Sequence, residues 1–378
     1  MKALARKPPN GYLPTLDGWR AVAILAVLMN HDKLHSIGGF RLDLIHWQGG
    51  HGVDLFFAIS GILICTRLLE EERLYGAINL KSFYIRRIFR IQPAALAYLA
   101  VIGLLMIFGA LDPAPKDLLY SALMVRNYLP LHESPHAWYT KHFWSLAVEE
   151  HFYLVLPGFL FLVRKHRIEV LSAIVFILAI WRVIVLDHPR LWFGWNLSFR
   201  TDLAVGGILL AVLVALLLRR PRVRAWMHQW VRPWVTIPII LVVGLWVHQQ
   251  KSELSFLALQ CTFPLLVVST LLRPESITGW MLELPPVRFL GRISYSIYLW
   301  QMLFFPFWAF VTPPYSAFLR QVQDSALRYV ALLAVSLLSY YLIERPMVRV
   351  GHRLAKSPVA ARGDFRRLDD ANIGLDTA

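Results

Sequence analysis

Asp17, Arg20, Asn30 and His31 all stand within one apolar stretch, where Asp17-Gly-Trp-Arg20 leads into the run Ala21 to Met29 and Asn30-His31 closes it. A guanidinium can hold an anion or polarise a carbonyl. An imidazole can take a proton from a hydroxyl or accept an acyl group. Eleven steps of about 100° return Arg20 and His31 to one face of a helix, about 16 Å apart. Ionisable groups at bilayer depth are expensive, so each is a candidate functional residue.

Three further stretches carry chemistry. His51-Gly-Val-Asp54-Leu-Phe-Phe-Ala-Ile-Ser60-Gly61 offers Gly52 and Gly61 for close helix approach. It also offers Asp54 as a carboxylate that could fix the tautomer of His31; the plainer reading of Asp54 is a helix cap. Tyr84-Ile-Arg86-Arg87-Ile-Phe-Arg90-Ile-Gln-Pro93 spaces its arginines three and four apart. That spacing suits either a forked phosphate site or an anchor on anionic lipid. In His142-Phe-Trp144-Ser145-Leu-Ala-Val-Glu149-Glu150-His151-Phe-Tyr153, residues His142, Ser145 and Glu149 share one helix face, with Tyr153 a turn further on. Adjacent carboxylates entering an apolar helix are poor packing material and good candidates for base chemistry or for binding sugar hydroxyls. Weaker features are the pair Arg200 and Asp202, the run Tyr295-Ser-Ile-Tyr298-Leu-Trp300-Gln301, which reads equally as an aromatic belt or a sugar platform, and Glu344-Arg345-Pro346, which most simply ends the last span.

The elements that position these groups follow from composition. Of 378 residues, 57% are hydrophobic, and the mean hydropathy is +0.50. The apolar residues come in span-length runs, which predicts an all-α, polytopic bundle in the membrane. Ten spans are expected, at about 14–34, 52–69, 91–110, 143–163, 168–187, 199–218, 234–248, 254–272, 289–310 and 326–343. Residues 1–356 then form one transmembrane domain, and the polar stretch 357–378 reads as a disordered cytoplasmic tail. Lys and Arg concentrate in the segments holding Arg67 to Arg90, Arg164 to Arg167, Arg219 to Arg232 and Arg273 to Arg292, and in the tail. That bias places both termini in the cytoplasm. The net charge of +15 is therefore topological, with no single basic face for nucleic acid. Cys65 and Cys261 lie in apolar runs without partner spacing, so neither a disulfide framework nor a metal site is indicated. No internal repeat supports an inverted-repeat transporter, although a transporter or flippase for an amphipathic lipid or sugar is the alternative reading of buried charges in such a bundle.

Taken in order, these stretches resemble the membrane-bound acyltransferase-3 family of bacterial O-acyltransferases. The likeness runs from about Tyr12 to Arg353 and is carried by Leu16-Asp17-Gly18 with Arg20 and His31, and by Gly52-Val-Asp54-Leu-Phe-Phe with Ser60-Gly61. Arg86-Arg87, Arg90 and Pro93 continue it, as do Trp144-Ser145-Leu with Glu149-Glu150, Phe152-Tyr153 and Pro157. Ser294-Tyr295-Ser296 with Tyr298-Leu-Trp300, and Glu344 with Pro346, complete it. One departure is Gln301, where family members commonly carry His. The resemblance implies a multi-pass enzyme of the bacterial inner membrane that moves an acyl group, usually acetyl, from cytoplasmic acyl-CoA to a hydroxyl of a carbohydrate or glycolipid. It also implies that Arg20 and His31 matter for activity. On the residues, Arg86, Arg87 and Arg90 are expected to hold the CoA phosphates, Arg20 to steady the cofactor or polarise the thioester, and His31, oriented by Asp54, to deprotonate the acceptor hydroxyl or take the acyl group itself. Glu149 and Glu150, with Trp144, Ser145 and Tyr153, are expected to receive the acceptor from the external side.

Overall fold

A computed structural model describes residues 13–32, 36–37, 40–41, 51–129, 138–187, 197–250, 252–306 and 316–355. The expected tail lies outside the described residues. Among the described residues the regular structure is helical, apart from a two-residue ladder of β1 (Ser36–Ile37) and β2 (Phe40–Arg41). The helices that matter for the site are α1 (Pro14–His31), α2 (Gly52–Tyr75), α3 (Leu80–Ile107) and the short α4 (Pro115–Ala122). They continue with α5 (Phe143–Leu162), α6 (Arg167–Asp187), α7 (Gly206–Leu217), α8 (Pro221–Trp230), α9 (Pro233–Gln250) and α10 (Glu253–Leu271). The last group is α11 (Ile277–Leu282), α12 (Pro285–Arg292), α13 (Ser294–Phe304), α14 (Ala317–Asp324), α15 (Leu327–Ser339) and α16 (Arg345–Leu354). Among the described residues, seven helices are long and apolar enough to cross a membrane. α1, α7 and α13 are not in that set, α1 because it carries polar groups and the other two because they are short.

α1 is the centre of the bundle. It packs against α2, α10, α11, α12 and α13, and its indole Trp19 Nε1 donates to Thr270 Oγ1 of α10 at 2.8 Å. Glycine permits these approaches. A Cβ on Gly52 would stand 2.6 Å from the Ala23 carbonyl, and one on Gly61 would stand 2.5 Å from the Ile208 carbonyl of α7. The tightest approach is at α12, where a Cβ on Gly291 would fall 1.8 Å from the Asp17 carbonyl oxygen. Backbone cannot yield there as a flexible side chain would, so Gly291→Ala must push α12 off the end of α1 that carries Arg20. Overpacking of this kind costs roughly 1–3 kcal/mol or more. The variant is expected to lose several degrees of thermal stability in detergent and most of its activity, whereas Gly158→Ala, with open space around its Cβ position, should lose neither.

Three boundaries differ from the sequence reading. α3 begins at Leu80, because Asn79 Oδ1 caps it by accepting the Ser82 N–H at 2.9 Å. The arginines 86, 87 and 90 are therefore inside a helix and not in a loop before one. The segment 273–292 is not a plain connection: it folds into α11 and α12 and lies along α1. Glu344 does not end the last span. A π-helical turn over Tyr340–Glu344 joins α15 to α16, and the helix continues to Leu354. Such turns widen the helix locally and recur at functional sites. Between α3 and α5, the described stretch 115–129 holds α4 and a 3₁₀ turn at Arg126–Tyr128.

Candidate active site

Two groups of polar side chains line the face of α1, one at Arg20 and one at His31. At the first, Arg20 Nη1 pairs with Asp17 Oδ1 at 3.0 Å, one turn away on the same helix. Ser60 Oγ, from α2, donates to Glu149 Oε1 at 3.2 Å. The Tyr153 hydroxyl donates to Glu149 Oε2 at 3.0 Å and stands 3.2 Å from Ser60 Oγ. The Arg87 guanidinium lies over the Tyr153 ring, 4.9 Å from its centroid, and Arg87 and Arg20 both act on the Glu149 charge at Coulombic range. Arg87 also faces the neighbouring Glu150, whose Oε1 is buried without a hydrogen bond among the described residues. Glu344 completes the group: it is 4% exposed, accepts from Ser296 Oγ at 2.8 Å, and faces Arg90 and Arg20. Three guanidiniums and three glutamates thus converge from α1, α3, α5 and the π turn. Charges removed from water need such partners.

At the other end, His31 Nδ1 is 3.0 Å from the Val27 carbonyl oxygen. A carbonyl can only accept, so Nδ1 carries the hydrogen and Nε2 is left with the basic lone pair. The ring meets Trp138 edge-on at 5.9 Å, with Gln301, Lys141 and His142 around it. α5 connects the two groups. His142 stands at the His31 end, Ser145 Oγ is 2.6 Å from the Tyr298 hydroxyl, and Glu149 and Tyr153 reach the Arg20 end. Seven residues of helix, about 10 Å, separate His142 from Glu149.

Several expectations are corrected by this arrangement. Asp54 does not orient His31: its Oδ2 pairs with His51 Nδ1 at 2.9 Å, and Gln260 Nε2 reaches its Oδ1 at 3.5 Å. The imidazole three residues before it is a nearer partner than one on another helix. The arginines do not form one fork. Arg86 pairs with Glu71 at 3.6 Å, while Arg87 and Arg90 turn to the interior carboxylates. Glu149 and Glu150 face those interior arginines. Trp144 is an aromatic wall, packed on Phe57 at 6.0 Å and Phe199 at 4.5 Å. The run Tyr295 to Trp300 is not a belt at the membrane surface: Tyr298 and Trp300 are each 6% exposed, and the Tyr295 hydroxyl donates to the Ile91 carbonyl at 2.7 Å. Arg200 and Asp202 do form an ion pair, at 3.1 Å.

Sequence reasoning missed Ser60 and Glu344 as members of the group and gave His142 no role. Glu344 left a signal, a carboxylate at the end of an apolar run. Ser60 left none beyond its place in a small-residue stretch.

The model of the family described as "Acyltransferase domain" matches residues 13–345. A protein of Staphylococcus aureus (strain COL), provisionally named an O-acetyltransferase, is 29% identical over 90% of this chain and 58% of its own length. The peptidoglycan O-acetyltransferase OatA of Listeria monocytogenes is 26% identical over 90% of this chain and 56% of its own. The O-acetyltransferase OatA of Staphylococcus aureus (strain NCTC 8325 / PS 47) is 26% identical over 97% and 62%. The chain thus spans about three fifths of the length of these relatives. No solved structure matches it.

Proposed function

The chain belongs to the acyltransferase family whose domain model covers residues 13–345, and from that premise we propose that it is a bacterial inner-membrane O-acetyltransferase that moves an acetyl group from cytoplasmic acetyl-CoA to a hydroxyl of a surface carbohydrate or glycolipid. The observation that carries this reading is the pairing of a half-buried arginine group at one end of α1 with an imidazole of defined tautomer at the other. Arg87 and Arg90 take the phosphates of the donor, exchanging carboxylate partners for phosphate oxygens. Arg20, about 16 Å of helix from His31, contacts the pantetheine arm, which leads the thioester along α1. His31 Nε2 then takes the acceptor proton as the hydroxyl oxygen attacks the thioester carbonyl. The C–S bond breaks, and the proton passes on to the departing thiolate. Glu149, held by Ser60 and Tyr153, keeps Arg87 and Arg20 in place. Names of relatives such as O-acetyltransferase support the acyl group and the hydroxyl.

Arg86 and Arg87 provide the test. Arg86 is tied to Glu71 and outside the interior group, so Arg86→Ala is expected to change the KM for acetyl-CoA by less than about threefold. Arg87→Ala removes a guanidinium that turns inward over Tyr153 toward the interior carboxylates and is expected to raise that KM by about tenfold or more. Both are read as thiol release by protein reconstituted in nanodiscs. Equal effects of the two substitutions contradict the assignment, and movement of a lipid or sugar without any dependence on acetyl-CoA contradicts the enzyme reading altogether.

A further inference from the structure

Beside His31 lies a set of buried polar atoms that the bundle itself leaves unsatisfied. Both ring nitrogens of His142, both amide atoms of Gln301, the Tyr139 hydroxyl and Trp300 Nε1 have no well-aligned hydrogen bond among the described residues, although the Leu299 backbone lies near His142, Gln323 near Tyr139 and the His31 ring near Gln301. These residues are 3%, 0%, 2% and 6% exposed, in the order His142, Gln301, Tyr139, Trp300. They form one cluster. Tyr98 meets His142 and Trp300 edge-on, each at 5.3 Å, its hydroxyl donates to the Tyr139 carbonyl at 2.5 Å, and Gln301 and His142 both stand beside His31.

Buried polar groups in folded proteins are nearly always paired, so a cluster of orphans implies a missing partner. The chemistry of the orphans describes that partner. An imidazole and a primary amide each offer both a donor and an acceptor, an indole adds a donor, and a phenol offers either. None of the four is a fixed charge, and the surrounding walls are the rings of Tyr98, Trp300 and Tyr298. Charge stands beside them: half-buried Lys141 lies over the Trp138 ring at 5.8 Å and faces His31, and Arg126, paired with Asp117, acts on Lys141. A hydroxyl, which also donates and accepts, satisfies such groups. A phosphate or carboxylate placed among them would be desolvated with no charged partner among the four, Lys141 standing at His31 instead.

We propose that His142, Gln301, Tyr139 and Trp300 form the subsite that receives the acceptor's reacting hydroxyl beside His31 and selects acceptors that are uncharged at that end. This rests on the acyltransferase reading, and it adds the four residues that read the acceptor and the charge state they admit. Gln301 and His142 are specificity residues here, while the proton chemistry stays with His31.

The test uses the full chain in nanodiscs and two soluble probes with similar rings, methyl β-glucoside and glucose 6-phosphate, with binding followed by titration calorimetry. The wild-type protein is expected to bind methyl β-glucoside saturably and glucose 6-phosphate at least tenfold more weakly. Gln301→Leu and His142→Phe are each expected to weaken methyl β-glucoside at least tenfold, to leave acetyl-CoA binding unchanged, and to keep or raise the unfolding temperature, because an orphaned polar group has been replaced by an apolar one. The proposal is overturned if the wild type binds neither probe or binds both equally, results that do not depend on any variant folding. It is also overturned if both variants lose stability yet keep the sugar affinity, which is what a structural role predicts. Failure of the underlying reading looks different: selective sugar binding, lost in the variants, together with no thiol release from acetyl-CoA supports the subsite and rejects the transferase.

Discussion

Substituting His31 by alanine is expected to lower acetyl transfer by about 10²–10⁴-fold, the range that a positioned acid or base contributes, while acetyl-CoA binding stays within about twofold. The expectation rests on the hydrogen bond from Nδ1 to the Val27 carbonyl, which leaves Nε2 as the one basic position of the ring. Because that bond runs to the helix's own backbone, removing the ring gives up only its edge contact with Trp138 and its neighbour Gln301, and the protein should unfold within a few degrees of wild type. Single-turnover thiol release and a parallel binding titration separate the two quantities. A rise in the KM for acetyl-CoA with kcat unchanged would instead place His31 in donor binding. The second nitrogen supplies a finer check. Asn in place of His31 can keep a donor toward Val27 but has no titratable base, so it should be as inactive as alanine.

Glu149 carries the second large effect. Its carboxylate accepts from Ser60 and Tyr153 and stands against Arg87 and Arg20. Taking away one partner of a half-buried charge group leaves the remaining charges uncompensated and costs up to roughly 3–5 kcal/mol, the figure for a fully buried pair. Glu149→Ala is therefore expected to unfold well below the wild-type temperature and to show no measurable transfer. Glu149→Gln keeps the shape: its amide oxygen can still accept from one of Tyr153 and Ser60 while its NH2 donates to the other hydroxyl oxygen, so it should fold with a smaller loss of stability. Without the negative charge, Arg87 and Arg20 are no longer held, and activity should still fall by about 10²-fold, the low end of what a mispositioned binding residue costs. Circular-dichroism melting and thiol release on the same preparations distinguish the stability effect from the positional one. A Gln variant with full activity removes Glu149 from the machinery and leaves it a packing residue.

Much of this arrangement is legible in the residues because helix periodicity is rigid. The shared face of Arg20 and His31, and the face His142, Ser145, Glu149 and Tyr153 on α5, follow from about 100° per residue. Gly52 and Gly61 mark close approaches for the reason expected, the absence of a Cβ. What periodicity does not supply is the choice among partners. Asp54 could reach several imidazoles, and local geometry gave it His51. Arg86 and Arg90 share a face in the ideal helix, yet long side chains go where the carboxylates are, and Glu71 takes Arg86 out of the group. The burial of Glu344 depends on a π turn, which inserts an extra residue into the helix and has no sequence pattern of its own. The orphaned amide of Gln301 is visible only when its neighbours are in place, since a glutamine in an apolar run reads the same whether or not its partners exist.

The central claim is that this bundle passes an acetyl group from CoA to a hydroxyl through the His31 end of α1. Its most direct test is to seal the full-length protein in proteoliposomes containing a hydroxyl-bearing glycan acceptor, to supply acetyl-CoA labelled in the acetyl group, and to recover the glycan. Label in ester linkage on the glycan, released by mild base and absent with the His31→Ala protein, is the predicted result. Label that stays with CoA, or that reaches the glycan equally with and without His31, contradicts the account.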